Sequence, residues 1–573
     1  MKRALSLFLA TCFLWNPLNF AGYAQNSSSL TKKDNTIPLD ADFWSDYPAD
    51  ILADTLVSRM EDTELLAQIF MFGWAGAEPS ELLNQWVLDR GLGSVKVFGW
   101  NTDDITLVAK SIAELQKKAQ KRPYKIPLFV ATDQEGGWIR HVKGETLITP
   151  GNMAIGACGY PIDAWYSGYY INKEIHALGI NMNFAPSVDL FTDHDSTIIG
   201  TRAFSENPDN TGILGASFAA GSIAAGVIPT AKHFPGHGAT NEDSHIFLPT
   251  IDIDLKTWQE RELVPFKYLI AEKIPAIMSG HLGFPQITHN GEPASLSKTF
   301  LTDILRRQLG YEGLIITDDM MMNGDTLYAG SLSNAYKLAI EAGNDIIISS
   351  TTARLNEALW TSNLERMKTD MEFKATVKKA ARRVIKCKLE YFKSPKAAPL
   401  YPNPANISNH IPDKDGQKFF LEQACRSITL FKSGTLPLTS ENSGRILLTG
   451  SLPTFFKEGK KRFPTAAEFK FTYEIGPNET QWVCDNILAT ANAFDTIIIC
   501  VYNERTARIA QKVKESGKRV IIFSLLSPVK STSLTWADSI LCGYSYSDYS
   551  IQALFAALAG DFSPDGKLPF TPN

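Results

Sequence analysis

Three short segments gather side chains whose types and spacing suit chemistry on a substrate. The first is Thr132-Asp133-Gln134-Glu135-Gly136-Gly137, two carboxylates followed by two glycines. Glycine lets a chain turn tightly and approach a ligand closely, and Asp133 can accept hydrogen bonds from a hydroxyl-rich molecule. The plainer reading is a strand-end turn with solvated acids. The second is Lys232-His233-Phe234-Pro235-Gly236-His237-Gly238, followed by Asp243-Ser244-His245. Three of the chain's nine histidines fall in this stretch. A metal site is one reading, but no HExxH or comparable helical spacing is present, and Pro235, Gly236 and Gly238 make this a loop. A set of loop residues tied by structural hydrogen bonds is another. The reactive reading pairs Asp243 with His245. A carboxylate beside an imidazole favours its protonated form and fixes the ring, which suits general acid–base work near neutral pH. In an extended loop, residues two apart share a side. The third segment runs Leu314-Ile315-Ile316-Thr317-Asp318-Asp319-Met320-Met321-Met322-Asn323. Asp318 ends an apolar run, where an ionised carboxylate can attack or stabilise a cationic carbon. Asp319 reads as a helix N-cap or an electrostatic support. At least one of Met320, Met321 and Met322 reads as ordinary core.

These segments need a scaffold that brings distant strand ends together. Eight short apolar, β-rich runs occupy residues 66–73, 94–99, 127–133, 180–186, 227–233, 276–281, 313–318 and 345–349. Helical patterns lie between most of them, as in 104–119, 164–178 and 298–309, and the last helices fall in 352–392. Eightfold strand–helix alternation predicts an α/β fold of the (β/α)8 barrel type, whose usual size is about 250 residues and upward. Reactive groups in such barrels gather at the C-terminal ends of the strands, and all three segments sit there. The Lys/Arg-rich stretch 374–388 reads as a helix with a solvated basic face. Five of the thirty prolines crowd into 395–412, which marks a linker. Beyond it, runs at 445–449, 496–501, 519–525 and 539–543 predict a smaller α/β sandwich. The expected organisation is 1–24 signal peptide, 25–49 leader, 50–394 barrel, 395–415 linker and 416–573 sandwich.

Hydrophobic residues make up 44% and charged residues 20% of the 573, which excludes a disordered chain. The net charge of −5 argues against a nucleic-acid partner. No second apolar run of membrane-spanning length follows the N-terminus, so no stable membrane insertion is expected after signal cleavage. Residues 1–24 start with Lys2 and Arg3, continue with an apolar core and end on small residues at Ala24, the layout of a secretory signal. An exported protein, periplasmic or secreted, is expected; the residues before Cys12 fit a lipoprotein signal poorly. Six cysteines remain beyond Cys12, none in a CxxC pair, and their apolar surroundings read as buried free thiols.

The three segments together resemble glycoside hydrolase family 3 β-N-acetylglucosaminidases, whose pattern is KHFPGHG followed by a D-S-H triplet. Asp133-Gln134-Glu135-Gly136-Gly137, Ile199-Gly200-Thr201-Arg202-Ala203-Phe204 and the Thr317-Asp318-Asp319-Met320 loop match as well, in order, over about residues 50–390. The resemblance implies a (β/α)8 barrel followed by an α/β sandwich. It implies Asp318 as nucleophile, His245 as general acid/base and Asp243 as its dyad partner, with Asp133, Arg202, Lys232 and His233 holding the sugar. It implies no metal and no cofactor, a β-linked amino sugar as the partner molecule, and two-step displacement with retention through a glycosyl-enzyme. A neutral imidazole as acid adds no second negative charge beside Asp318. One position departs. The family usually has Arg eight residues after the Asp of D-x-E-G-G, and here that residue is His141, with Arg140 one before it. Either Arg140 fills the place through a shifted loop or the sugar contacts differ. The terminal Gly566-Lys567-Leu568-Pro569-Phe570-Thr571 is similar to the end of the second domain in two-domain members, here expected as a packing and subsite element. The alternatives are a family 3 β-glucosidase, β-xylosidase or glycoside phosphorylase, and, outside enzymes, an inactive cell-wall carbohydrate-binding protein.

Overall fold

Each of the eight predicted runs supplies one strand of a closed parallel barrel in the computed structural model. They are β1 (Phe70–Phe72), β2 (Ser94–Lys96), β3 (Phe129–Thr132), β4 (Met182–Asn183), β5 (Ile228–Phe234), β6 (Ala276–Ser279), β7 (Leu314–Asp319) and β8 (Ile346–Ser349). Neighbours in sequence are neighbours in the barrel, and β1 closes on β8 with Phe70 opposite Ile347. The structure describes residues 37–242, 247–350 and 353–572. Asp243 and His245, Cys12 and the 1–24 segment lie outside them. The chain divides after residue 41 into two compact units. Of the first only 37–41 are described, a turn in which Ala41 N donates to Pro38 O.

The strands are shorter than the runs because the run ends do other work. Leu66 to Gln68 finish a helix, Asp62–Gln68, and residues past the strand ends turn into rim loops. Helices cover the outer face of a parallel barrel, so its strands read as continuous apolar runs and not as alternation. Local signals fix the helix starts. Asp104 caps Ile105–Ala119 by accepting from Thr106 N and Leu107 N; Pro161 opens Pro161–Ala177 at the position where a missing N–H costs nothing. Met320 and Met322 are core and Met321 is exposed.

The 374–388 stretch corrects one expectation. It lies in the helix Met371–Phe392, but its basic side is not simply solvated. Lys374 pairs with Asp62, and Arg382 and Lys386 pair with Asp50 and Asp54, holding the helix Ala49–Arg59 against the barrel's last. Lys388 is fully buried beneath the barrel. Its ammonium nitrogen donates to Gly93 O at 2.7 Å and Gln68 Oε1 at 3.0 Å. Arg122, also buried there, donates to the carbonyls of Ala119, Val87, Leu92 and Ile126.

The second domain is built on a six-stranded sheet: β9 (Thr429–Lys432), β10 (Ile446–Gly450), β11 (Ala467–Lys470), β12 (Thr496–Val501), β13 (Arg519–Ser524) and β14 (Ser539–Cys542). Its order is β9-β14-β13-β12-β10-β11, parallel except for β9. The four buried central strands are the four predicted runs. The two edges carry half-exposed residues and lack the apolar run that marks a strand. The proline-rich segment is tied to the barrel: Asp413 N donates to Glu174 Oε1, and Asp413 pairs with Lys173. A helix, Lys414–Ser427, begins just inside it. All six described cysteines are free. Among the described residues no helix is long and apolar enough to cross a membrane.

Candidate functional site

The barrel's C-terminal rim collects charged side chains from six strand ends or the loops after them. Lys96 ends β2, Asp133 and Glu135 follow β3, Asp189 and Arg202 lie on the loop after β4, and Lys232 and His233 lie within β5. His281 follows β6, and Asp318 lies in β7. The backbone there is shaped by glycine. Gly136 has φ of 94°, and a Cβ on it would sit 2.6 Å from Thr149 Oγ1; Gly236 has φ of 120° and lies against Glu262. The Lys232–His233 peptide is cis.

Two interlocked groups form the floor. In the first, Asp133 is bound by Lys96 at 2.9 Å and Lys232 at 2.6 Å, and Lys232 also reaches Glu135 at 2.7 Å. Arg202 grips Glu135 with Nε and Nη2 at 2.9 and 2.7 Å, the forked geometry that makes guanidinium–carboxylate pairs strong. Burial alone would raise both acids. The facing cations outweigh it, holding Glu135 at about 2 and Asp133 well below the carboxylate range. In the second group, Asp189 is fully buried and accepts from His233 Nδ1 at 2.6 Å, from His237 N at 2.7 Å and from Ser187 Oγ at 3.1 Å. Arg202 Nη2 stands 3.3 Å from His233 Nε2. A guanidinium can only donate, so Nε2 is the acceptor and Nδ1 carries the proton given to Asp189.

Asp318 differs from the other acids. Its side chain keeps 18% of its surface open, with Oδ2 3.9 Å from His233 Nε2, while Oδ1 accepts from Asp319 N at 2.8 Å. Burial pushes it up, but the positive charges of His281, Lys96 and Lys232 outweigh it and hold it below the usual carboxylate range. It is an ionised carboxylate with one oxygen uncommitted, the state a nucleophile needs. Asp319 does not cap the helix that follows, Asn323–Ala329. Its Oδ1 accepts from Met321 N and Ser350 N, pinning the turn after β7 to the end of β8. Beneath it, His281 donates Nε2–H to Asp319 O at 3.1 Å and Nδ1–H to Asp325 at 2.8 Å. Both nitrogens carry protons. Burial opposes that charge, but Asp325 and Asp318 raise the ring to about 9.

Asp133, Arg202, Lys232, His233 and Asp318, called on sequence, thus meet at one rim. Asp243 and His245 lie outside the described residues. Behind this rim, burial pushes the Glu262 carboxyl up to about 7. It is 1% exposed, sealed behind Gly236 and paired with Arg261, so it cannot deliver a proton to the opening. His141, and not Arg140, lies beside Asp133. His141 turns inward, with Nδ1 3.4 Å from Asp133 Oδ2. Arg140 turns away and donates to Thr146 O and Oγ1 at 2.9 and 2.8 Å. Burial lowers His141, so it is a neutral imidazole at neutral pH. Sequence reasoning missed Lys96, Asp189, His281 and Asp325. Lys96 stands inside a predicted strand, His281 at the end of one, and Asp189 three residues past one.

Beside this rim, a cavity of about 730 Å³ separates barrel loops from the sandwich. Trp138, Gly200 and Thr201 line one wall; Tyr473, Tyr502 and Tyr546 line the other.

Comparisons with known proteins agree on one family. The family model described as glycosyl hydrolase family 3 N terminal domain matches residues 61–387. Beta-hexosaminidase A of Pseudoalteromonas piscicida is 37% identical over 263 residues, 43% of this chain and 43% of that protein. The chain thus matches less than half the length of that relative. A beta-hexosaminidase of Neisseria meningitidis is 32% identical over 271 residues, 46% of this chain and 73% of that one. Among solved structures, a glycoside hydrolase family 3 beta-N-acetylglucosaminidase from Paenibacillus sp. str. FPU-7 superposes with a TM-score of 0.80 at 26% identity, covering 89% of this chain and 99% of the other.

Proposed function

The chain belongs to glycosyl hydrolase family 3, a family of glycosidases, and we propose that it removes terminal β-linked N-acetylhexosamine from glycans or peptidoglycan fragments with retention. The observation that carries this is Asp318: ionised, partly open, one oxygen free, at the mouth of a barrel whose other rim acids are locked in ion pairs. In the first step Asp318 Oδ2 attacks the anomeric carbon as the glycosidic bond breaks, and the leaving oxygen takes a proton. In the second, water displaces Asp318 and gives up a proton. His245, oriented by Asp243, is the proposed proton carrier in both steps. Asp133, Lys232, His233 and Arg202, with His141, are the proposed sugar contacts. The ion pairs among them fix these groups before substrate arrives, which is where such a site gains rate. The names of the relatives support an N-acetylglucosaminide over a glucoside.

The test is a panel of nitrophenyl β-glycosides with the first-formed anomer followed by NMR. The expected result is turnover of the β-N-acetylglucosaminide with a β-anomer product. Preference for β-glucoside or β-xyloside, or formation of sugar 1-phosphate in phosphate buffer, would replace this reading. His245→Ala should cost far more on unactivated oligosaccharides than on nitrophenyl glycosides, which need little protonation. Equal losses on both would remove His245 from the acid role.

A further inference from the structure

We propose that the terminal segment 566–571 of the second domain is a strap that positions the rim loop carrying Asp189 and Arg202. This rests on reading that rim as the reaction site. The loop between β4 and the helix Pro208–Ala224 is long, and its only regular element is the turn Gly200–Arg202. A connection of this length holds two charged groups in place only if something outside it supports it. On its inner side it bonds to the barrel: Val188 N donates to Lys232 O, and Asp193 N to Gly238 O. Its two arms are joined by Phe191 N donating to Ser205 O at 3.1 Å.

The outer side is held by the strap. Gly566 N donates to Ile428 O in the second domain, and Lys567 N donates to Ala157 O in the barrel, so the segment crosses from one to the other. Pro569 O then accepts from Glu206 N at 3.0 Å and Ser205 Oγ at 2.8 Å. Glu206 Oε1 accepts from Thr571 N and Oγ1 at 2.9 and 2.6 Å. Phe570 is 4% exposed and packs edge-on against Phe191 and His194, at ring separations of 5.3 and 5.0 Å. His194 Nε2 in turn lies 3.3 Å from Glu206 Oε2. The strap therefore clamps both arms at once. Asp189 is two residues from Phe191, and Arg202 three from Ser205. The bonds at stake are short and charged: 2.6 Å from His233 to Asp189 and 2.7 Å from Arg202 to Glu135. A displacement of about 1 Å at such groups costs about 10²-fold in rate. The strap touches none of the reacting groups, so Phe570 and Glu206 are positioning residues.

The test compares the full-length chain with Phe570→Ala and Phe570→Tyr by steady-state kinetics on the nitrophenyl glycoside and by hydrogen–deuterium exchange. For Phe570→Ala the expected result is a kcat lower by about 10- to 100-fold, KM changed much less, and faster exchange in peptides from 187–206 but not in β3 or β6. Phe570→Tyr should restore most of both. A faster-exchanging loop with unchanged kcat overturns the proposal, as does an unchanged loop. If Phe570→Ala does not fold, Glu206→Gln weakens the Thr571 and His194 contacts without emptying an apolar site, and the same outcomes decide. If wild type hydrolyses no β-glycoside, the functional reading has failed. The exchange arm then still decides whether the strap holds the loop.

Discussion

The two ends of the barrel both bury cations, and they do so in opposite ways. At the C-terminal rim, Lys232 and Arg202 each face carboxylates at 2.6 to 2.9 Å. The acids are held ionised, and the bases keep their charge: Lys232 and Arg202 are both raised against the pull of burial by Asp133 and Glu135. At the N-terminal end, Lys388 and Arg122 have no carboxylate partner among the described residues and bond to carbonyl oxygens. Burial pushes Lys388 well below the usual lysine range and Arg122 down to about 10. A charge that must act on a substrate is kept charged by counter-charges. A cation that only ties strand-end carbonyls together can lose its proton. The difference matches the division of labour in such barrels, chemistry at the top and stability at the bottom.

Substitutions at the rim should therefore cost activity, and those at the base should cost stability. The largest effect is expected for Asp318→Asn. The amide keeps the bond from Asp319 N but cannot attack carbon, so kcat should fall by about 10³-fold or more, roughly 4 kcal/mol of lost transition-state stabilisation. The melting temperature should stay close to wild type. Near-normal turnover would remove Asp318 from the nucleophile role. Asp189→Asn comes next. An amide can present its NH2 to His233 Nδ1 and flip the ring's tautomer, which turns Nε2 into a donor facing Arg202. About 10²-fold in kcat is expected, read against a thermal melt that shows the barrel intact.

Much of this site was legible from residue order alone because a barrel rim is a predictable place. Asp133, Lys232, His233 and Asp318 each sit in or just past an apolar run. Arg202 was found only through the family pattern, since it stands in a loop far from any strand. Lys96 stands inside a run and His281 ends one, yet a single Lys or His there carries no spacing signal to distinguish it from a solvated residue. Asp189 and Asp325 act on histidines distant in sequence, a pairing that only the closed barrel creates. The edge strands β9 and β11 were missed for the related reason that half-exposed edges lack an apolar run. The buried Lys388 was hidden inside a helix in which Lys374, Arg382 and Lys386 pair near the surface. Its burial depends on where the helix meets the barrel floor, which periodicity does not encode.

At the base, pH sharpens the contrast. Lys388 has a lower pKa folded than unfolded, so over the window between the two the unfolded chain carries a proton the folded chain lacks. Stability therefore rises with pH up to the ordinary lysine value of about 10.4. Lys388→Met removes that dependence along with two hydrogen bonds. Near pH 10 the wild type should be the more stable by about 1–3 kcal/mol, the cost of leaving Gln68 Oε1 without its donor. The gap should narrow as pH falls. A constant gap in paired melts across pH would mean that the amine stays protonated in the fold.

The rim predicts the opposite slope. His281 is raised to about 9 from an unfolded value near 6.5, so here the folded chain holds the proton that the unfolded chain gives up. Its contribution is complete below about pH 6.5 and is lost as pH rises through about 9, at no more than about 1.4 kcal/mol per pH unit. His281→Gln should flatten that part of the melting curve, because an amide can still donate to Asp319 O or Asp325 without titrating. The same change should make Asp318 easier to protonate, since one of the cations that hold it low is gone. The acid limb of the kcat/KM profile should then move toward neutral pH by a fraction of a unit, while Lys388→Met leaves that limb where it is. Such a pairing, an alkaline stability slope tied to an acid activity limb through one buried ring, is expected only where counter-charges serve the reacting group.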